Sequence, residues 1–302
     1  MTHKTAVLTA LLLLIAGVAM TQPAMDKPGV VSSFLGLQAA IPDGYSWRMS
    51  AAYPPYETGA SFPYGSIAVG LDGLLELSWT HEGAMGSPTG SLTPDDLLSF
   101  RLQVVPQRER FPAVSVFLTT MPGKKSELLL GRDFQPKLSD IYQRGLVGAS
   151  YEARSTLAGI ALATTLSDVL SFNAALGARQ IVWQQQWSFT TFNTGLPRTS
   201  DGWTYPLAER SSFWLDMAAG ASFRPIEELA LIGEVGSLPF VEIDPSSLMM
   251  EAKQGYMGAV GIRYDLPIPL SVDLYDRWYS ENRNRTNYHQ IRIGLSTQLK
   301  LK

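Results

Sequence analysis

The sequence predicts an all-β protein, a transmembrane antiparallel up-and-down β-barrel, from three observations. Hydrophobic residues make up 45% of the 302 residues and charged residues only 17%, whereas a typical soluble domain has roughly 25% charged residues. No stretch after the first twenty residues reaches the roughly 18 apolar residues of a membrane helix. Apolar and polar residues alternate instead, as expected for strands with one face against lipid and the other against water.

The alternation is clearest at the end of the chain, where Ile291 and Ile293 fall on one face and Arg292 and Gly294 on the other. Thirteen such segments follow one another from Tyr45 to the C-terminus. Adding residues 127–134 as a strand gives fourteen, and we favour this count because bacterial barrels have an even number of strands. The alternative is twelve strands, with residues 141–165 merged into one.

Short turns and long loops alternate between these segments. Asp72-Gly73 and residues 265–269 contain the residues that tight turns prefer, whereas residues 184–209 and 238–253 are predicted to be long polar loops. Outer-membrane barrels place their short turns in the periplasm and their long loops outside the cell. The aromatic residues near the loops are expected at the membrane interface. They include Trp183, Trp187, Trp203, Phe213, Trp214, Tyr275 and Trp278.

A large soluble β-sandwich or β-propeller is the alternative fold, but it would need a more charged surface. The N-terminus favours export, because Lys4 precedes an apolar run from Ala6 to Ala19 with small residues at Gly17 and Ala19. We therefore predict a signal peptide at residues 1–19, a periplasmic segment at 20–44 and an outer-membrane barrel at 45–302. An uncleaved anchor is the alternative for the first segment.

Charged residues on the polar face of these strands are predicted to line the lumen, where they can pair, hold a plug or select a solute. The alternative is that they only satisfy one another and stiffen a closed interior. Besides Glu76, the candidates are Arg48, Arg101, Asp216, Glu234, Arg263, Asp273, Arg277 and Arg292.

The sequence predicts no catalytic, cofactor or metal site. There is no cysteine, and only His81 and His289 remain after the predicted signal peptide. A lipid-active hydrolase built on His289 with Ser280 or Ser296 is a minor alternative that has no motif to support it. The net charge of −3 lacks the positive excess that is typical of nucleic-acid-binding proteins.

Three stretches resemble the outer-membrane barrel family encoded with exopolysaccharide operons (YjbH-like). They are GLQAAIPDGYS at 36–46, YGSIAVGLDGLLELSWT at 64–80 and the two predicted strands within 98–118. The resemblance implies a non-enzymatic accessory in the export or assembly of a surface polysaccharide. Its expected partners are outer-membrane lipids and an anionic polysaccharide or its export machinery. A passive pore for small solutes is the alternative role.

Overall fold

The computed structural model describes most of the predicted barrel. The described residues are 41, 45–53, 64–81, 96–107, 111–130, 145–167, 169–192, 200–206, 209–243, 250–280 and 287–301. The predicted signal peptide lies outside them, as does segment 20–44 apart from Ile41. No helix in this part of the chain is long and apolar enough to cross a membrane.

The described residues form thirteen strands. These are β1 (Tyr45–Tyr53), β2 (Tyr64–Leu71), β3 (Leu75–His81), β4 (Asp96–Val105), β5 (Ala113–Leu130), β6 (Gly145–Ser167), β7 (Leu170–Phe192), β8 (Ser200–Pro206), β9 (Arg210–Ile226), β10 (Leu229–Ile243), β11 (Met250–Asp265), β12 (Ser271–Ser280) and β13 (Asn287–Leu301).

Antiparallel pairing closes these strands into a ring. Apart from β8, each strand pairs with the next strand around the ring, β1 pairs with β13, and β7 pairs with both β6 and β9. β8 pairs only with the distal end of β7 and continues the line of β9, so the two form one strand of the wall. The result is a closed barrel of 12 strands.

The preferred count of fourteen strands is therefore wrong, and the alternative of twelve is confirmed. Residues 127–130 continue β5, and residues 145–167 form the single strand β6. Both strands remain paired with each other over almost their whole length. The sequence suggested breaks because apolar alternation fades where a strand leaves the lipid, although backbone pairing continues.

The predicted tight turn at Asp72-Gly73 is present and connects β2 to β3. Both residues have positive φ, 51° for Asp72 and 66° for Gly73, which is the geometry of a type I′ hairpin turn. Asp tolerates this conformation and Gly adopts it without steric cost. All the tight turns lie at the end of the barrel where β1 begins and β13 ends, which is the periplasmic end in outer-membrane barrels.

Two predicted long loops are largely strand. Residues 184–192 belong to β7, where 186–192 pair with 200–206 of β8, and residues 238–243 pair with 250–255 at the distal ends of β10 and β11. Their polar composition suggested loops, but strands outside the membrane need no apolar face. These hairpins extend the wall beyond the apolar band.

The outer surface of the wall is apolar over a continuous band. Alternate side chains along each strand are exposed and large, and their neighbours in sequence point inward. Examples from strands around the ring are Trp47, Leu77, Phe100, Ile160, Leu176, Met217, Leu231, Val260, Leu274 and Ile293. Exposed apolar area of this extent far exceeds the patches found on soluble monomers and matches a lipid-facing surface.

A charge placed on this band should destabilise the barrel. Val260, which is 58% exposed near the middle of β11, faces lipid, and Val260→Arg should cost about 2–4 kcal/mol of unfolding free energy. Urea unfolding in lipid vesicles measures this. The control is Gln184→Arg, also exposed and outward but beyond the band, with an expected change within about 0.5 kcal/mol. Equal stability of both variants would show that Val260 does not face lipid.

Candidate functional site

The inner face of the wall carries the charged side chains. All eight residues named from the sequence lie there, as does Glu76, and all of them except Arg277, which follows outward Asp276, lie between outward-facing uncharged residues. Arg179 and Arg224 also lie inward, although the sequence did not single them out. In β7 the inward positions include Ile181 and Trp183, so the strand has no clearly polar side from which to assign Arg179.

The first charge cluster joins three strands. Arg48 on β1 donates a hydrogen bond from Nη2 to Oε2 of Glu76 on β3, and Arg101 on β4 donates from Nη1 to Oε1 of the same carboxylate at 3.3 Å. Glu76 is only 3% exposed. Arg48 passes over Gly70 and Ala68 of β2, whose small side chains leave room for this reach. One buried carboxylate thus serves two arginines.

Two further ion pairs lie on the other side of the ring. Arg263 on β11 binds Asp273 on β12 in bidentate fashion, with Nε–Oδ1 at 2.6 Å and Nη2–Oδ2 at 2.8 Å. Arg179 on β7 binds Asp216 on β9 at 2.6 Å, and Asp216 also accepts a hydrogen bond from Ser237. Bidentate geometry fixes the orientation of a guanidinium. These pairs therefore hold charged groups in fixed positions around the lumen.

At the periplasmic end, Ile41 lies against the inner face of the wall. Ile41 is 4% exposed, and its backbone N–H donates to Oε1 of Gln103 on the inner face of β4 at 2.7 Å. Its side chain lies beside Gly70. The predicted periplasmic segment therefore meets the barrel wall from the inside at this residue.

An apolar cluster occupies the inner face near the opposite mouth. It contains Met121, Ala153, Ile181 and Trp183, with Leu97, Trp214 and Ala252 packed against it. Trp183 and Trp214 were expected at the membrane interface, as was Tyr275, which is 4% exposed on the inner face of β12. That expectation is wrong for these three rings because the strand parity turns them inward.

The two histidines lie apart on the outer face. His81 Nδ1 is 3.0 Å from Asp96 Oδ1 at the distal end of β3 and β4, and His289 Nδ1 is 2.8 Å from Asp276 Oδ2 between β12 and β13. Ser296 lies on the inner face, where its hydroxyl bonds Asp273. The wall therefore separates Ser296 from His289. The side chain of Ser280 lies outside the described residues.

Within the described ranges, no group of three or more His, Asp and Glu residues is arranged to hold a metal ion. Closed strand pairing, a lipid-facing apolar exterior and a charged interior now identify the class of protein. The chain is a transmembrane β-barrel of the outer-membrane type. Cleavage of a signal peptide stays a prediction.

Comparison with known proteins adds architecture only. No protein-family model and no curated protein matches the sequence. The translocator domain of the autotransporter NalP from Neisseria meningitidis is 10% identical, with 98% of this chain and 95% of that chain covered and a TM-score of 0.46. The CymD monoaromatic hydrocarbon channel is 9% identical over 86% and 89% of the chains, with a TM-score of 0.47. The toluene transporter TbuX of Ralstonia pickettii is 9% identical over 87% and 90%, with a TM-score of 0.39.

Removing the shared carboxylate should destabilise the lumen. Glu76→Gln removes the negative charge that Arg48 and Arg101 share, and breaking a buried pair in this way costs about 3 kcal/mol or more. Denaturant unfolding of the refolded protein in vesicles measures the change.

The matched control is Arg154→Gln. Its partner Glu209 lies 3.2 Å away, but both side chains are more than half exposed, so the expected loss is below about 1 kcal/mol. If Glu76→Gln cost no more than this control, the inner cluster would contribute nothing to stability.

Proposed function

We propose that the protein is a non-enzymatic accessory in the export or assembly of an anionic surface polysaccharide, which it contacts in its lumen. The observation that carries the proposal is the excess of arginine on the inner face. Among the described inward side chains of the continuous wall, below the distal β10–β11 hairpin and the Trp183–Arg210 rung, there are seven arginines and five carboxylates. The arginines are Arg48, Arg101, Arg179, Arg224, Arg263, Arg277 and Arg292, and the carboxylates are Glu76, Asp216, Glu234, Asp265 and Asp273.

An excess of two positive charges inside a low-dielectric wall attracts anions. Field lines are focused in a narrow passage, and rings of Arg or Lys select for anions in pores. Arginine also binds carboxylates and phosphates through two parallel hydrogen bonds. Uronate or phosphate groups on a glycan chain are therefore suitable ligands for this surface. The resemblance to the polysaccharide-associated barrel family supports the same choice of ligand.

A passive pore for small anions is a second candidate, and the dimensions of the lumen favour it. Eight-stranded barrels are filled by side chains, whereas barrels of 16 to 18 strands leave an aqueous channel. Twelve strands give an intermediate width, and Ile41 with its contact to Gln103 occupies part of it. A small anion passes such a space more readily than a polymer.

Planar bilayers separate these two functions. Acidic oligomers of glucuronic acid are added to one side, with neutral glucose oligomers of the same length as control. Block by the acidic oligomers alone, or their binding to vesicle-reconstituted protein without any conductance, supports the polysaccharide role. Anion conductance that neither oligomer blocks supports the passive pore. A cation-selective barrel that binds neither oligomer would contradict both.

Substitution of inward arginines should weaken anion preference. Arg277 and Arg292, each 4% exposed on adjacent strands, contribute to the positive inner field, so Arg292→Gln and Arg277→Gln should each lower the anion-to-cation permeability ratio about twofold. Reversal potentials in a KCl gradient report this ratio. Arg154→Gln removes the same charge from the outer face and should leave it unchanged. An equal effect of all three variants would place selectivity outside the lumen.

A further inference from the structure

The wall of the barrel is interrupted between β9 and β10. Their ladder ends at the rung Ala218–Gly236, although β9 extends to Arg210 and β10 to Ile243. Beyond this rung β9 stays paired with β7, and β10 stays paired with β11. The two hairpins therefore separate, and no described backbone pairing spans the space between them. We call this space, alongside residues 210–217 of β9, the β9–β10 seam.

The distal β10–β11 hairpin leans inward over the mouth. Ala252 packs against the inner apolar cluster around Met121 and Trp183, and the side chain of Gln254 donates a hydrogen bond to the carbonyl oxygen of Leu215 at 3.3 Å. β11 also contacts β7, although β9 and β10 lie between them in the ring. Side-chain contacts, and no backbone ladder, therefore join the distal part of this hairpin to β9.

The seam lies level with the outer part of the apolar band. Across the ladders, Phe213 is on one rung with Gln180 and Thr156. Outward residues nearer the periplasm on these strands are apolar except Thr164, and the outward residue two positions beyond Thr156 is Arg154. The band thus ends at about Phe213. Leu215 and Met217 are within it, on the side of the long loops, so the seam faces the outer leaflet.

The open edge of β9 carries backbone groups that need partners. The N–H of Met217 donates to Oγ of Ser237 at 2.9 Å, and the carbonyl oxygen of Leu215 accepts from Gln254. Alternate residues of a paired strand direct their backbone groups to the same side, so Ser211 and Phe213 direct theirs into the seam as well. Within the band, these backbone groups of β9 are satisfied by side chains of β10 and β11 instead of by a neighbouring strand. A molecule in this seam therefore meets the polar side chains of Ser237 and Gln254 beside an apolar surface.

The inner side of the seam is polar and its outer side is apolar, which matches the two parts of an amphiphile. On the inner side, Arg179 binds Asp216, which also bonds Ser237. On the outer side, Leu215 and Met217 are exposed. A cavity of about 780 Å³ lies at the foot of the seam. Its lining includes Phe172, Ala219, Ala221, Gly233, Val235 and Val260.

We propose that the β9–β10 seam is a lateral passage for an amphiphile with an acyl chain. The acyl chain lies in the seam and in the apolar cavity at its foot, and the polar head lies in the lumen against Arg179, Asp216 and Ser237. The lumen is thereby connected to the outer leaflet as well as to the external medium. This goes beyond the proposed contact with an anionic glycan and does not depend on it.

Lipid photolabelling of the unmodified protein tests the proposal. The protein is reconstituted in phosphatidylcholine vesicles that contain a phosphatidylcholine with a diazirine near the end of one acyl chain, and labelled residues are mapped by mass spectrometry. We expect label on the inward residues Trp214 and Asp216 at a level near that of outward Leu215. Inward Ser99 in the continuous wall and outward Leu98 beside it are the references. If Trp214 and Asp216 carry no more label than Ser99, the passage does not exist.

A disulfide across the seam provides the second measurement. The chain has no cysteine, so an introduced pair is unique. A ladder that continued the register of Ala218–Gly236 would place Phe213 opposite Val241, so a disulfide between these positions forms only when the two hairpins come together, and it then holds the seam closed. Oxidised Phe213→Cys/Val241→Cys should reduce the label on Trp214 to the level of Ser99, and reduction should restore it.

The matched control is Leu274→Cys/Ile293→Cys, a rung of the continuous β12–β13 ladder. Its oxidation should leave the label on Trp214 unchanged. Full labelling of Trp214 in the oxidised seam variant would overturn the proposal. If the seam disulfide forms incompletely, the photolabel map of the unmodified protein is sufficient to decide between the outcomes. Failure here leaves the anion selectivity of the lumen intact, so the two proposals can be judged separately.

Discussion

The hydrogen-bond ladder between β1 and β13 is the constraint on which the structure depends. A sheet in lipid has no water to satisfy its edges, so it must close on itself. The pairing of Tyr45 with Leu301 and of Tyr53 with Ile293 achieves this closure and leaves each strand with one face outward and one inward. Every later feature, from the apolar band to the arginines, follows from which side of the closed ring a residue occupies.

Charged side chains in the interior pair with nearby side chains of opposite charge. Each described carboxylate on the inner face lies near an arginine of the same or a neighbouring strand, as in Arg263–Asp273, and small residues such as Gly70 let the longer pairs cross an intervening strand. A closed ring with few free interior groups is rigid. The interruption at Ala218–Gly236 differs from the rest of the described wall, because the β9–β10 backbone ladder ends there within the apolar band.

Period-two alternation was sufficient to predict the barrel and the inward position of residues such as Arg48 and Asp273, since parity follows from strand geometry alone. It could not predict strand length, because β6 and β7 continue beyond the lipid, where no apolar face is selected. It also placed Trp183 and Trp214 at the membrane interface, whereas Trp183 belongs to the apolar cluster inside the mouth and Trp214 packs against that cluster. The contact of Ala252 with that cluster and the seam depend on long-range packing, for which the sequence has no local signal.

The length of the β6–β7 hairpin sets how far the protein extends from the cell. Both strands have 23 residues, whereas a membrane crossing uses about 10. At about 3.3 Å per residue and a tilt near 40°, the distal dozen residues rise roughly 30 Å above the lipid. Large bodies that approach the cell therefore meet the described distal parts of β6 and β7 before they reach the shorter strands of the ring.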